Sequence, residues 1–195
     1  MSSVYVEALN RFAEWYERVM KLDVPEPTAV ILATSDGEGR PSARTVLLKS
    51  FDERGFVFFS NSQSIKGRQL EENPRAALCF YWPELRRQVH IEGSVEQISE
   101  NQIDSYWRTR DRFSQIGAWA SEQSAPLERR EILEARFRER EGKFSGGDIP
   151  RPEHWVGYRV VPDMIEFWSG REHRLHERVR YRLEGEEWEK TLLNP

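Results

Sequence analysis

The spacing of turn signals constrains this chain more than any other feature. The apolar run 28–34 is closed by Ser35-Asp36-Gly37-Glu38-Gly39, and the run 43–49 follows at once. Asp52-Glu53-Arg54-Gly55 then separates it from the run 56–60. Loops this short join antiparallel strands, because a parallel pair needs a crossover of about a dozen residues or more. A doubly wound α/β fold is thereby disfavoured and a β-meander expected. Further strands are expected at 75–82 and 86–98 about a turn at Pro83-Glu84, and at 158–161, 164–168, 175–183 and 188–193.

Helices fall between these strands. Val4, Ala8, Phe12, Trp15 and Val19 recur at helical spacing, so 4–20 reads as an amphipathic helix, ended by Pro25 and Pro27. A short helix is expected at 64–72, stopped by Asn73-Pro74, and another from Ser99, with Gln102 placed to complete a capping box. A highly charged helix is expected at about 126–141, followed by a Gly/Pro-rich loop at 142–152. With 195 residues the chain has room for one substantial core. The expected fold is mainly β, a closed antiparallel barrel with flanking helices.

Composition narrows the function classes. Charged residues make up 32% of the chain yet nearly cancel, at a net charge of -4. A general nucleic-acid binder carries a basic excess, so any cationic site here is local. The single cysteine, Cys79, allows no internal disulfide and sits in an apolar run, where a buried, inert thiol is expected. His90, His154, His173 and His176 are scattered, and no Cys/His cluster has zinc spacing. No signal-peptide pattern or membrane-length apolar stretch is present, so a cytoplasmic protein is expected.

Four constellations could carry chemistry. In Arg174-Leu175-His176-Glu177-Arg178, a strand would point Arg174, His176 and Arg178 one way, toward an anion or into solvent with neighbouring acids offsetting the charge. Arg44 and Lys49 bracket the apolar Val46-Leu47-Leu48, as strand exits or as cations at the ends of a flat ligand. Ser60 to Gly67, with Lys66 in a helix's first turn, can cradle a phosphate or simply cap the helix through Ser64. Tyr106, Arg110 and Ser114 lie at i, i+4 and i+8 along a helix and its exit, suiting either a phosphate monoester or a polar exposed face. There is no GxGxxG after a strand, no Walker loop and no GxSxG elbow.

Taken together, RPSARTVLLKSFDERGFVFFSN, ENPRAALCFYWPELRRQVHIEG, SQIGAWASEQS and IEFWSGREHRLHERVRY resemble the pyridoxamine 5′-phosphate oxidase family, FMN enzymes of vitamin B6 metabolism. The likeness runs from about Pro27 to the C-terminus. It implies one FMN-binding split-barrel domain over 1–195, with about 155–195 as a dimerisation and active-site segment. It also implies a homodimer with FMN in the cleft between subunits. The family oxidises small phosphorylated B6 vitamers at C4′ and passes the electrons to O2, releasing hydrogen peroxide; no nucleic acid, membrane or metal takes part.

Residue by residue, the resemblance implies that Arg44, Thr45, Val46, Leu47, Leu48 and Lys49 run along the flavin. Phe59, Ser60 and Lys66 would reach FMN from the next strand and the helix start, and Gln88 would meet the ring edge. Gln123 and Ser124 would bind its phosphate region, and Trp168 and Arg178 would complete the flavin site from the partner chain. Lys49, Tyr106, Arg110 and Ser114 match the residues that hold the substrate's phosphate. Arg174 and His176 match the catalytic pair beside the pyridine ring.

Three departures are visible. Ile65 stands where the family usually has an Arg, so one charge-assisted contact to the FMN phosphate is expected to be missing. Phe59 replaces a frequent Tyr, and the usual N-terminal extension is expected to be lacking. The nearest rivals are the split-barrel flavin oxidases of phenazine biosynthesis, which tend to lack Lys49 and the Tyr/Arg/Ser set, and a non-catalytic FMN- or pyridoxal-phosphate-binding protein.

Overall fold

The computed structural model describes residues 2–195. Strands β1 (Ala29–Ser35), β2 (Pro41–Leu47), β3 (Ser50–Asp52) and β4 (Gly55–Asn61) follow one another through short turns. Helix α2 (Ile65–Glu72) leads into β5 (Arg75–Trp82) and β6 (Arg87–Gln97). Helices α3 (Glu100–Thr109), α4 (Arg112–Ala120) and α5 (Arg130–Lys143) come next, then β7 (Trp155–Ser169), β8 (Glu177–Glu184) and β9 (Glu187–Leu193). Helix α1 (Ser3–Met20) precedes them all.

Every strand pair is antiparallel, in the order β2-β1-β5-β6-β7-β4-β3, with β8 and β9 continuing from β7. The two ends of the first path are one piece of chain, since β3 follows β2 almost directly. Between them the Lys49 N–H donates to Val57 O at 2.9 Å. The sheet therefore curls on itself, as the split antiparallel barrel with flanking helices requires.

The α1 helix starts where Ser2 Oγ accepts from the Val4 N–H, and it buries Tyr5, Ala8, Phe12, Trp15 and Val19. Tyr5 takes the core place expected of Val4. Phe12 is fully buried and meets Phe51, Phe56 and Phe80 edge-on at 4.8, 4.9 and 5.3 Å. One side chain thus ties the helix to three strands.

The segments expected at 158–161 and 164–168 are one strand, β7. Pro162 is tolerated because it lies where β6 and β7 slip register, opposite Gly93. A Cβ on Gly93 would fall 2.0 Å from Val161 O, so the close approach requires glycine. The helix from Ser99 ends at Thr109, since Arg110 is extended (φ -72, ψ 145), and α4 restarts under an Asp111 cap that the i, i+4, i+8 reading missed. The Ser99–Gln102 capping box does not form; Ser99 Oγ donates to Gln102 Oε1 instead. The charged helix begins at Arg130 rather than near 126. Cys79 is half-buried rather than buried, because it alternates to the outer face of β5. Burial still raises its thiol pKa.

Among the described residues, no helix is long and apolar enough to cross a membrane, and no group of His, Cys, Asp or Glu is arranged to hold a metal ion.

Candidate active site

A cavity of about 730 Å³ opens between β2, β4, the start of β7 and helices α2, α3 and α4. That volume suits a cofactor with a small substrate. Strand β2 contributes Thr45, Val46 and Leu47, with Lys49 just beyond it; β4 contributes Phe59 and Ser60; and α2 contributes Lys66. Tyr106 comes from α3, Arg110 from the α3–α4 junction, Ser114 from the first turn of α4, and Gln123 from the loop after α4. Residues far apart in sequence thus converge on one wall.

Two sets of polar groups stand out. In the first, Lys66 is only 8% exposed, and its ammonium bonds neutral oxygens alone, Ser64 Oγ at 3.2 Å and Gln123 Oε1 at 3.0 Å. Burial, with the Arg44 charge adding to it, lowers its pKa from 10.5 to about 8. A buried cation facing neutral partners at a helix start is poised for an anion. Ser64 also caps α2 by accepting from the Gly67 N–H, so the cradle and the cap are the same hydroxyl.

In the second set, Arg110 lies with its guanidinium carbon 5.0 Å from the Trp155 ring centroid, and it donates to Ser114 O at 3.3 Å. Its Nε is buried without a partner, and burial lowers its pKa. Lys49 Nζ stands 6.0 Å from the Tyr106 ring centroid. Asp111 is the acid nearest by sequence, and its carboxylate is engaged by the Ser114 N–H at 2.9 Å as the α4 cap. The cavity wall therefore holds more positive charge than its own acids neutralise.

Several sequence-predicted residues lie outside this cavity. Leu48 is buried in the core. Arg44 turns its guanidinium to Thr34 Oγ1 at 2.6 Å and to Ser42 Oγ and Gln69 Oε1, which ties β2 to α2 and so fixes where Lys66 stands. Ser124, at φ 72, accepts the Ile65 N–H at 3.3 Å, a second cap for α2. Gln88, Trp168 and Arg178 are register neighbours across β6, β7 and β8, and the Trp168 ring packs on His176 at 4.7 Å. They form a second cluster at the far end of β7. That strand has 15 residues, so its ends lie on the order of 45 Å apart along the chain.

The strand geometry expected for Arg174, His176 and Arg178 is corrected here. β8 begins only at Glu177, and Glu172–Arg174 form a turn in which His173 and Arg174 are left-handed (φ 54 and 61). The turn is held by the Arg171 N–H donating to His176 Nδ1 and the Leu175 N–H to Glu172 O. The three residues therefore share no strand face. Arg178 instead makes a two-pronged bond to Glu166 at 2.8 and 3.1 Å, while Arg174 is exposed.

Sequence reasoning gave no site role to Trp155 or His154, which line the cavity beside Asn61, a member of the expected Ser60–Gly67 cradle. Asn61 and Trp155 are register partners of β4 and β7. Nothing local marks Trp155 or His154, because their placement depends on a pairing between distant segments.

Comparison with known proteins bears on this geometry. Residues 17–144 match the family model described as pyridoxamine 5′-phosphate oxidase, and residues 155–195 match that of the pyridoxine 5′-phosphate oxidase C-terminal dimerisation region. A pyridoxine/pyridoxamine 5′-phosphate oxidase from Rubrobacter xylanophilus is 53% identical, over 97% of this chain and 87% of its own length. One from Myxococcus xanthus is 51% identical, over 97% and 92%. The crystal structure of PhzG from Burkholderia lata, in complex with tetrahydrophenazine-1-carboxylic acid, superposes with a TM-score of 0.91 at 35% identity, covering 100% of this chain and 98% of that one.

Proposed function

The chain belongs to the pyridoxamine 5′-phosphate oxidase family, and on that premise we propose that it oxidises pyridoxine 5′-phosphate and pyridoxamine 5′-phosphate to pyridoxal 5′-phosphate. It is an FMN-dependent oxidoreductase. The observation that carries the reading is the excess of cations in one cavity. Lys66 with Gln123 forms one anion site, and Lys49, Arg110, Ser114 and Tyr106 form another. Two sites of this kind match a cofactor phosphate and a substrate phosphate.

The residues present fit FMN. Lys66, Gln123 and Ser60 would hold its phosphate end, and the Thr45–Leu47 stretch would lie along it. When bound, FMN supplies the two-electron chemistry. The chain's own residues bind and orient. Lys49 and Arg110 neutralise the substrate phosphate, Tyr106 and Ser114 supply hydroxyls to it, and the pyridine ring is thereby held at a fixed distance from the redox centre. With O2 as acceptor the alcohol gives aldehyde and hydrogen peroxide; the amine consumes one water besides and releases ammonia.

The cluster of Gln88, Trp168, His176 and Arg178, with Arg174, completes the site from a second copy of the chain. The C-terminal match to a dimerisation region supports this. So does the separation of the two clusters along β7. The lone Cys79 suits a reducing, cytoplasmic setting. A phenazine-type substrate is the second reading, favoured by the likeness to PhzG. The ligand in that structure has no phosphate, whereas this cavity carries a full phosphate set.

The test is direct. Protein loaded with FMN and given either B6 phosphate should release peroxide together with an absorbing aldehyde. Bound FMN without turnover of either substrate contradicts the assignment.

A further inference from the structure

We propose that Trp155 is a positioning residue for substrate-phosphate recognition, its indole face holding Arg110 in the cavity without neutralising it. This rests on the reading of Arg110 as the phosphate ligand. The guanidinium carbon stands 5.0 Å from the Trp155 centroid and 5.8 Å from that of Trp107, and the two indoles meet edge to face at 4.9 Å. Aromatic faces attract a cation through the ring quadrupole and leave its N–H groups unneutralised. A carboxylate in the same place would compete with the incoming phosphate.

The clamp matters because Arg110 borders two clefts. Beside the main cavity it also lines a second one, with Asp104, Asp148, Arg108, Arg112 and Arg151. Asp148 there offers the guanidinium an alternative partner, Asp104 being paired with Arg151 at 2.6 Å, and Trp155 stands on the main-cavity side only. Trp155 is itself fixed. It is 5% exposed, stacks on Phe59 at 4.9 Å and 7°, and its carbonyl accepts from Arg151 at 2.9 Å. Phe59 in turn stacks on Tyr106 at 4.2 Å and 14°, so one aromatic stack backs both the Arg110 and the Tyr106 contacts.

The experiment measures the Kd of inorganic phosphate for the FMN-loaded protein by calorimetry, together with kcat and KM for pyridoxine 5′-phosphate. Trp155→Met keeps bulk and apolarity but removes the ring. It should weaken phosphate about three- to thirtyfold and raise KM in step, the loss falling on KM rather than on kcat. Trp155→Phe should restore most of the affinity. In an Arg110→Ala background Trp155→Met should add nothing further. An equal loss in both backgrounds, or no loss in folded Trp155→Met, overturns the proposal. Should Trp155→Met not fold, Trp155→Phe decides: phosphate affinity near wild type supports the clamp, and affinity as poor as that of Arg110→Ala overturns it. A wild-type protein that binds phosphate with this Trp155 dependence but turns over neither B6 phosphate would sink the proposed reaction and leave the clamp standing.

Discussion

Lys66 Nζ lies 3.0 Å from Gln123 Oε1, joining the first turn of α2 to the loop after α4 through a buried cation that has no acid to balance it. Burial holds its pKa at about 8, against 10.5 for a free lysine. As pH falls from 10.5 toward 8, the unfolded chain takes up the proton before the folded one does. The apo fold therefore loses stability across that window and stays at the lower level below it. A bound phosphate reverses the balance by favouring the charged form. FMN affinity should accordingly be flat between about pH 7, where the FMN phosphate is already largely dianionic, and about pH 8, and fall above that as Lys66 deprotonates. Titration of flavin fluorescence from about pH 6 to about pH 10 checks this. Lys66→Met should bind FMN weakly, with that pH dependence gone.

Lys49→Ala and Arg110→Ala should each raise KM for the phosphorylated substrate by about one to two orders of magnitude, from the loss of a charge-assisted contact worth about 1.5–3 kcal/mol. The flavin spectrum and FMN Kd should be unchanged. Loss of FMN from either variant would mean that the two anion sites are assigned the wrong way round.

Ile65 is 47% exposed at the start of α2, one residue before Lys66. Ile65→Arg should tighten FMN about tenfold or more at low salt, with the gain shrinking as salt rises. An unchanged dissociation constant would show that another group already meets that part of the phosphate.

Gly157 faces Phe59 across the β4–β7 ladder, and a Cβ there would fall 2.8 Å from Phe59 Cε1 and 2.7 Å from Ile98 Cδ1. Gly157→Ala should cost about 1–3 kcal/mol of stability from overpacking. By displacing the ring that backs Tyr106 and Trp155, it should also raise KM. Thermal unfolding and steady-state kinetics read the two effects separately.

Much of the barrel was legible because hairpin turns leave little freedom: Ser35 to Gly39 and Asp52 to Gly55 fix antiparallel pairing on their own. The resemblance supplied the cavity residues from Thr45 to Gln123, and the structure brings them to one wall. Local reading failed where long-range pairing decides. Two strands are expected at 158–161 and 164–168, yet Pro162 between them falls at the register slip opposite Gly93 and does not end β7. The alternating face of Arg174, His176 and Arg178 dissolved because consecutive left-handed residues turn the chain before β8 begins. Trp155 gave no local signal at all, since its role depends on β4 and α3 arriving beside it.

The most direct test of the account is complementation between two inactive proteins. Lys49→Ala/Arg110→Ala lacks the cavity's substrate-phosphate cations, and Arg174→Ala/His176→Ala lacks the far cluster's pair. If each site draws one set from each subunit, random mixing makes about half the dimers mixed, with one of their two sites intact. Peroxide release from pyridoxine 5′-phosphate should then recover to roughly a quarter of wild type. Recovery to that level in co-refolded protein, with each parent inactive alone, is the predicted result. Mixed dimers as inactive as their parents would contradict a site shared between two chains.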